Sequence, residues 1–458
     1  MEGFNVNYKM ILQEAREARE QLSEFRRQRN RCRDYTFGRQ WNDLIEVNGR
    51  RIPEYEYIIN EGNVPLKNNL IRRIVRNVLG VFRSRLPELM KETYGDGLQE
   101  VAEKNALTEI FSRSFEEFLI SGMAVVRKRL GSVDGAPDIL TEIVSPSSFF
   151  FNTESRDIRG WDLNLVGQEH KADFRQWCKA FVKTGEDYRN AFRLFEGGKR
   201  TVKVTEVWRK EVVPRYLVHD RGKGMLRRVS EAEGNSISPY TAGTGGKKWI
   251  LDEVWRYYFL DEEGRMLCCG DSPYRHGSHP YVLKCYPFLD GEIHSLVGDM
   301  IDQQRYTNRL ITLYDWVIRA SAKGVLLLPE GAVDPANLQN VADQWGRFNG
   351  VIMYKADPLR PEPRQVNSNM SNLGISELLE IQLKMMEDVS GVNGILQGNT
   401  SGGNVSGTLY DSQTANAMYS LSDILDTFTA FIRESAHRDA ILNSVNSLNA
   451  LNSLNALA

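Results

Sequence analysis

The segment SGVNGILQGNTSGGNVSG, residues 390–407, decides the fold because it separates two strongly helical stretches and contains six glycines but no charged residue. Glycine readily adopts backbone conformations that end a helix, so this segment predicts a loop. The surrounding stretch, from His294 to Arg438, predicts a long amphipathic helix, a compact insert, a second helix, this loop and a third helix. An uncharged, flexible loop between strong helices suits weak, transient contact with a partner.

The helices on either side of the insert follow from hydrophobic periodicity. The first, residues 295–322, is predicted to be about 40 Å long. Its expected apolar side consists of Leu296, Met300, Leu310, Leu313, Tyr314, Val317 and Ile318, and its polar side of Asp299, Asp302, Arg305, Arg309 and Arg319. The second, residues 372–389, carries four acidic residues against Lys384 alone. Between them, residues 323–371 predict a small β-α-β insert with strands at 325–328 and 350–354 and a helix at 335–345.

The upstream part of the chain changes character at Gly122. Residues 1–122 predict helices at 8–33, 66–86 and 98–121, the first of them a solvated surface helix. Residues 123–294 predict a mostly β unit, with an exposed hairpin linker at 234–248. We therefore expect an α+β fold of more than one unit. Five arginines of the first helix form a basic cluster that is either a solvated face or a contact for nucleic acid or an acidic neighbour: Arg26, Arg27, Arg29, Arg31 and Arg33.

Composition excludes several classes of protein. Lys plus Arg number 58 and Asp plus Glu 60, which argues against a broad basic face that coats nucleic acid. The apolar runs are far shorter than the roughly 20 residues of a membrane span, and the acidic, helical start is unlike a signal peptide. We therefore expect the protein to stay in the cytoplasm where it is made, without membrane contact. The five cysteines form no C-x-x-C pair, and RHGSHP at 275–280 favours an ordinary turn over a metal site.

The sequence also predicts no catalytic or cofactor site. The stretch at 234–248 lacks the first glycine and the final hydroxyl of a P-loop, since Thr241 and Lys248 occupy those positions. Neither H-E-x-x-H nor G-x-S-x-G occurs, and the adjacent carboxylates look like a turn and a helix face. We therefore expect no enzyme, cofactor or metal, with a nucleic-acid-processing enzyme kept as the less favoured alternative.

Ordered motifs resemble those of portal proteins of tailed, podovirus-like bacteriophages. They begin with Tyr35, Gly38, Gln40 and Trp41, similar to an aromatic-Gly-x-Gln-Trp signature, and continue with the sequence LKNN at 66–69, the helix end at Gly122 and the sequence VSP at 144–146. The most specific match starts at YPF, 286–288, and runs through Gly291, Ser295, Asp299, Asp302, Gln303, Gln304 and Asn308. The resemblance covers about residues 35–440.

The resemblance implies a ring of twelve subunits at one capsid vertex, through which double-stranded DNA is packaged and ejected. Its parts would be a wing (1–122 and 123–294), stem helices (295–322 and 372–389), a clip (323–371), a tunnel loop (390–407), a wing or crown helix (408–440) and a low-complexity tail or short crown (441–458). Expected partners are the terminase large subunit, the major capsid and scaffold proteins and a head-tail adaptor. The competing structural interpretation is that the chain is a different virion protein, for example a head-tail adaptor.

Within this scheme, specific residues are expected to carry function. The side chains expected to line the constriction and touch DNA are Gln397, Asn399, Thr400 and Asn404, and those expected to dock the motor are Arg347, Lys355 and Arg360. A lysine in the loop would be repeated in every subunit and would hold the phosphates, so the absence of charge there agrees with a channel that lets DNA slide. The Asn-Leu repeat at 443–457 has a period of three, which drifts around an α-helix.

Overall fold

The computed structural model describes residues 7–95, 97–133, 136–152, 154–196, 198–220, 225–237, 244–323, 325–329, 333–346, 364–366, 374–392 and 418–443. These residues form helices and antiparallel sheets, in agreement with the predicted α+β class. They divide into two compact units. The first unit comprises described residues within Met1–Arg33, Val75–Gly298 and Ser406–Ala458, and the second comprises described residues within Asp34–Ile74 and Asp299–Val405.

The helices, in chain order, are α1 (Tyr8–Gln21), α2 (Ser23–Thr36), α3 (Glu54–Asn60), α4 (Leu70–Thr93), α5 (Gln99–Lys104), α6 (Leu107–Ser121), α7 (Phe174–Phe181), α8 (Gly185–Glu196), α9 (Glu231–Ser236), α10 (Leu296–Lys323), α11 (Leu338–Gly346), α12 (Ile375–Ser390) and α13 (Ser422–Asn443). The strands are β1 (Leu44–Val47), β2 (Arg50–Pro53), β3 (Met123–Val133), β4 (Ala136–Ile143), β5 (Phe149–Phe151), β6 (Leu165–Ala172), β7 (Val202–Asp220), β8 (Met225–Ser230), β9 (Thr244–Leu260), β10 (Met266–Asp271), β11 (Tyr281–Cys285), β12 (Pro287–Leu289), β13 (Glu292–Ile293), β14 (Val325–Leu327) and β15 (Arg364–Val366).

Two antiparallel sheets form the body of the first unit. The larger has the order β10-β9-β7-β6-β5 with β8 paired to β7, and the smaller has the order β11-β3-β4. Strand β7 runs unbroken from Val202 to Asp220, and its ladder with β9 continues through Lys210 opposite Trp255 and Glu211 opposite Val254. The predicted hairpin linker at 234–248 is wrong in part, since its start belongs to α9 and its end to β9.

Helix α1 is not the solvated surface helix that its charges predicted. Ile11, Leu12, Ala15 and Ala18 are buried in the main core of the first unit, where they pack with the aromatic strand β5. The helix predicted over 8–33 also breaks at Leu22 into α1 and α2. The charged residues at helical spacing concealed a narrow apolar stripe, half of which is alanine.

Some arginines of the basic cluster on α2 form ion pairs with carboxylates of the same chain. The Arg29 side chain is 3% exposed, and its Nε lies 2.6 Å from Oε1 of Glu117 on α6. Arg27 pairs with Glu24 one turn earlier, an exposed contact at 2.6 Å. The sequence left open whether these arginines contact solvent, nucleic acid or an acidic neighbour. For Arg29 the contact is an acidic residue of the same chain, Glu117.

Helices α4, α6 and α13 share an aromatic core in the first unit. Phe428 of α13 is fully buried, with ring centroids 5.3, 4.9 and 5.4 Å from those of Phe82, Phe115 and Phe118. The helix predicted over 98–121 is split into α5 and α6 at Ala106, whose φ is +49°. Its predicted end at Gly122 is confirmed, with φ +76° and the carbonyl oxygen of His294 only 2.2 Å from where a Cβ would lie. Only glycine fits there.

A buried ion pair fastens α13 to the smaller sheet. Nζ of Lys128 on β3 lies 2.5 Å from Oδ2 of Asp439, and neither side chain is exposed. Lys128 also donates to Thr141 at 2.9 Å, and the Tyr94 hydroxyl donates to Asp439 at 3.0 Å. Burial lowers the pKa of Lys128 and raises the pKa of Asp439, while each charge opposes the shift of the other. Because lone buried charges are costly, the pair makes the position of α13 specific.

Candidate functional site

The buried face of α10 in the second unit includes a polar stretch among its apolar residues. Gln304, Thr307 and Asn308 are buried within it. Oε1 of Gln304 accepts hydrogen bonds from the backbone N–H groups of Leu70 and Ile71 at 3.0 and 3.1 Å. Those groups belong to the first turn of α4 and have no partner inside their own helix, so Gln304 caps α4 from a distance in sequence of more than 200 residues.

A second layer of hydrogen bonds extends this network to the N-terminal motif. Nε2 of Gln304 donates to the carbonyl of Asn68 at 2.6 Å, and Nδ2 of Asn308 donates to Oε1 of Gln40 at 2.7 Å. Gln40 in turn donates to the carbonyl of Tyr35 and to Oδ1 of Asn69 at 2.9 and 3.0 Å. Residues from three separate sequence motifs therefore meet in one buried network.

The flanking residues of the same motifs complete the contact. The indole N–H of Trp41 donates to the carbonyl of Leu66 at 3.1 Å, and the N–H of Leu66 donates to Oγ1 of Thr312 at 3.2 Å. Nζ of Lys67 donates to the carbonyl of Gly38 at 2.6 Å. Because fully paired buried polar groups are directional, this network fixes the rotation of α10 about its axis more closely than apolar packing would.

A carboxylate that the sequence did not single out supports the same helix. Glu54, at the start of α3, has a side chain that is 4% exposed. Its Oε2 lies 3.0 Å from Nη2 of Arg305, and Arg309 donates to Oε1 through Nε at 2.7 Å. Two arginines one turn apart thus hold one buried carboxylate. The i,i+4 spacing of Arg305 and Arg309 was the available sequence signal.

The second half of α10 exposes apolar side chains, which corrects part of the predicted amphipathic pattern. Leu313, Tyr314 and Ile318 were expected on the buried side, yet they are 45%, 43% and 48% exposed. Tyr306 and Trp316 are exposed to a similar degree. Met300, Leu310 and Val317 of the predicted apolar side are buried, so hydrophobic periodicity was right for these three and wrong for the exposed three.

Helix α12 shows the same feature. Leu378, Ile381, Met385 and Val389 follow one another at spacings of three and four residues, and all four are between 41% and 49% exposed. Helix α10 meets α12 at a small cluster of Leu310, Val317 and Ile375, and the described residues leave most of both apolar stripes uncovered. Exposed apolar stripes on long helices are typical of surfaces that another protein covers.

Strands β14 and β15 close the insert between the two helices. Val325 pairs with Val366, Leu326 with Gln365 and Leu327 with Arg364 in an antiparallel register. The strand predicted at 325–328 and the helix predicted at 335–345 are confirmed as β14 and as a 3-10 turn, Pro335–Asn337, leading into α11. Strand β15 was not predicted, and the strand expected at 350–354 lies outside the described residues.

A model of the phage P22-like portal protein family matches residues 12–437. The chain belongs to this family. The match spans the motifs that meet in the polar network and both long helices, and it confirms the resemblance to tailed-phage portal proteins. The chain is thus a bacteriophage portal protein, a component of the virion connected with genome packaging. No curated protein matches the chain.

The residues predicted to carry portal function lie where the structure gives no description. Gln397, Asn399, Thr400 and Asn404 fall within 393–417, and Arg347, Lys355 and Arg360 fall within 347–363; both ranges are outside the described residues. The described chain reaches Val392, which is buried just beyond the left-handed Gly391 that ends α12. The loop and clip assignments of the portal protein therefore stay predictions.

The histidines of the RHGSHP turn have ordinary structural surroundings. Nδ1 of His276 accepts from the N–H of Ser278 at 3.1 Å, and the ring stacks on Tyr274 with centroids 5.3 Å apart. His279 is buried against Trp255. Across the described ranges, no group of three or more His, Cys, Asp or Glu residues is arranged to hold a metal ion. A search of the same ranges found no helix with the length and apolar character of a membrane span.

Proposed function

We propose that this portal protein forms a closed ring of twelve subunits at one vertex of the capsid. The ring is the channel through which double-stranded DNA is packaged and later ejected, and it is the platform on which terminase and tail or adaptor proteins dock. The observation that carries this proposal is the family match over residues 12–437, which includes nearly all of the chain.

The exposed apolar stripes of α10 and α12 support self-association. Both stripes lie on helices of one unit that each bury a different face within the subunit. A head-to-tail contact in which one stripe meets a different surface of the next copy generates a ring when the rotation closes. Burial of apolar area contributes about 25 cal/mol per Å², so a repeated contact along two long helices would hold neighbouring subunits together.

The proposed parts of the portal follow the order of the chain. Residues 295–322 and 372–389 are the stem, 323–371 the clip, 390–407 the tunnel loop, 1–122 and 123–294 the wing, 408–440 a wing or crown helix, and 441–458 a tail or short crown. The pairing of β14 with β15 supports the clip as a separate head on the two stem helices, because it brings the two ends of that segment together.

DNA movement would depend on weak contact. Helix α12 carries Glu377, Glu380, Glu387 and Asp388 against Lys384, and the loop that follows has no charged residue. Each lysine or arginine that neutralised a phosphate would add a salt-dependent binding term, and ring symmetry would repeat it in every subunit. We place Gln397, Asn399, Thr400 and Asn404 at the constriction, where polar side chains touch the DNA backbone transiently.

The work of packaging would come from outside the chain. We propose that the portal protein itself catalyses no reaction and that the terminase large subunit, docked on the clip through Arg347, Lys355 and Arg360, supplies ATP hydrolysis. The major capsid and scaffold proteins would surround the wing during assembly in the host cytoplasm, and a head-tail adaptor would bind after packaging.

The ring is tested by the mass of the purified protein, measured by native mass spectrometry or light scattering and followed by negative-stain images. We expect a closed ring near twelve copies with a central hole, formed directly, at high concentration or with scaffold protein. The variant Ile381→Asp should prevent the ring, because it places a charge in the apolar stripe of α12. The control change, Leu226→Asp on β8, alters an apolar residue outside the stem that is 63% exposed, against 49% for Ile381, and should leave the ring intact.

The tunnel loop is tested separately by packaging. The variant Asn404→Lys should assemble normally and stall DNA packaging, with less stalling as the salt concentration rises. Asn404→Gln is the neutral control and should package as the unchanged protein does. Normal packaging by the lysine variant would place this part of the loop away from DNA, and it would leave the ring result unaffected.

A further inference from the structure

Two adjoining cavities in the first unit carry an excess of cationic side chains in their lining. One, of about 340 Å³, is lined by residues of β3, β4, β6, α7, β7 and β9, and the other, of about 380 Å³, by residues that include α1, α2 and β6. They share His170 and Lys171. Seven lysines and arginines line them against two glutamates, although the whole chain has a net charge of −2.

The two lining glutamates are already paired. Oε1 of Glu142 lies 2.8 Å from Nε of Arg129, and Oε2 of Glu169 lies 3.1 Å from Nε of Arg19. These pairs leave five cations of the lining without a carboxylate that belongs to the cavities: Arg26, Arg127, Lys171, Lys179 and Lys203.

Arg127 pairs with a buried carboxylate, Glu206, both of whose oxygens also accept hydrogen bonds from other side chains. Glu206 is fully buried, and its Oε1 lies 3.2 Å from Nη2 of Arg127 and accepts from the indole of Trp208 at 2.7 Å. Its Oε2 lies 2.7 Å from Nε2 of His170. Burial opposes ionisation of Glu206, but Arg127 and His170 outweigh it and lower the pKa to about 2. Arg127 is therefore held rigidly as a cation at the cavity wall.

Two guanidinium groups at the cavities retain unused donors. Nε of Arg127 and Nη1 of Arg26 are buried and have no hydrogen-bond acceptor. Burial and the neighbouring Arg19 lower the pKa of Arg26. A buried donor without an acceptor is unfavourable, and a charged one more so. An anion in the cavities would supply the missing acceptors.

Three lysines at the cavities also lack partners for their charged groups among the described residues. Lys171 on β6 lies directly opposite Lys203 on β7 in the antiparallel register. Like charges at opposed positions of a sheet are destabilising. In the part of the chain that the structure describes, the ammonium groups of Lys171, Lys179 and Lys203 have no hydrogen bond or ion pair. The subunit therefore concentrates positive charge at this place without balancing it.

We propose that the two cavities form one docking site for an acidic peptide segment of a partner protein. Its carboxylates would meet Arg26, Arg127 and the three lysines, and an apolar side chain between them would enter the cavity lined by Phe181, Val204 and Phe259. A peptide suits this site better than a DNA duplex, because a duplex backbone offers no apolar group for that cavity. Arg19, Arg127 and Arg129 also already hold one carboxylate each.

The test uses the purified full-length protein and a labelled peptide of alternating glutamate and leucine, with fluorescence anisotropy as the readout. We expect binding of this peptide and none of its glutamine counterpart. The variant Lys171→Glu/Lys203→Glu should weaken binding about tenfold or more, because it reverses two contact charges. Lys91→Glu/Lys248→Glu makes the same charge change at exposed lysines elsewhere in this unit and should bind as the unchanged protein does.

Other outcomes would overturn the proposal. Equal binding of the glutamine peptide, unchanged binding by Lys171→Glu/Lys203→Glu, or no binding at all would each do so. Tighter binding of a short DNA duplex that the same variant abolishes would assign the site to nucleic acid. A loss of oligomeric mass in this variant but not in its control would make the occupant a second copy of the chain.

Folding of the variant is checked by its thermal unfolding midpoint, which should not fall, since the reversal removes none of the subunit's own contacts. If the midpoint falls, Lys171→Gln/Lys203→Gln carries the test, with the same expected loss of the glutamate peptide. Because the site lies within one subunit and is read by peptide binding, its failure is distinct from failure of the ring.

Discussion

Helices α13 and α10 are both long, but they distribute their side chains in opposite ways. Helix α13 of the first unit buries Phe428, Phe431 and Ile432 completely. Helix α10 of the second unit buries Gln304 and Asn308 and exposes apolar residues along its second half. The first arrangement completes a core within its own unit. The second leaves apolar surface that the other described residues of the chain do not cover, as is typical of surfaces that bind another protein.

The first way to sharpen this comparison is to truncate one apolar side chain on each helix. Phe428→Ala should lower the free energy of unfolding by about 3–5 kcal/mol, because it leaves a cavity among Phe82, Phe115 and Phe118. Ile318→Ala, at a position that is 48% exposed, should cost under about 0.5 kcal/mol in the dissociated subunit. Urea unfolding of both variants measures the difference, and equal losses would contradict the contrast.

The second comparison concerns charge on α13. Asp439→Ala should cost about 3–5 kcal/mol, since it leaves Lys128 charged and buried without its partner. Arg433→Ala, on the same helix, removes an exposed pair with Glu92 of α4 and should cost about 0–1 kcal/mol. The double variant Lys128→Met/Asp439→Leu should recover most of the loss. If the double variant is no more stable than Asp439→Ala, the loss arises from packing and not from the lone charge.

The third tests the polar face of α10. Gln304→Leu should destabilise the second unit by about 1–3 kcal/mol, because the N–H of Ile71 loses its acceptor and the N–H of Leu70 keeps only the carbonyl of Asn68. The adjacent Gln303→Leu is the control and should have little effect, because the side chain of Gln303 lies outside this network. Hydrogen exchange read by mass spectrometry should show faster exchange at the start of α4 only in Gln304→Leu. Unchanged protection there would mean that apolar packing, and not capping, holds this turn.

The fourth uses pH to separate the two units, since all six histidines lie in ranges of the first. Burial and Arg438 lower the pKa of His276 to about 3, and burial lowers that of His279 well below its usual value. Both are neutral when folded, so their contribution is complete above the unfolded-state pKa near 6.5 and is lost as pH falls toward 3. Each should cost about 1.4 kcal/mol per pH unit in that range.

Urea titrations at pH 7 and pH 5 should therefore show a weaker transition for the first unit at pH 5. His276→Gln should make this dependence shallower, whereas His294→Gln, whose ring is 61% exposed, should leave it unchanged. If both substitutions changed the pH dependence equally, burial of His276 would not be its cause.

Much of the fold was predictable where local signals were strong. The helix end at Gly122, the strands of the first unit and helices α10 and α12 follow from glycine placement and periodicity. The hairpin of β1 and β2 was missed although Asn48-Gly49 carries its signal, with φ of +51° and +74°. The breaks at Leu22 and Ala106 were missed because neither residue type interrupts a helix by itself.

The candidate site was predictable as motifs but not as a contact. Gln40, Asn68, Gln304 and Asn308 were recognised in three separate segments, and nothing in one sequence indicates that they bond to one another. Glu54 carried no motif at all. Hydrogen-bond partners more than 200 residues apart depend on how the chain returns to itself, which local propensity does not encode.

By itself, the sequence determined the class of elements, the order of long helix, insert, helix and glycine-rich loop, and the family, because these depend on local composition and spacing. Tertiary structure alone decided which face of α10 is buried and that Asp439 meets Lys128. It also decided that Lys171 and Lys203 stand opposed beside unpaired arginine donors. Burial and pairing depend on distances in space. The sequence alone does not show whether a given glutamine is buried or a given leucine is exposed.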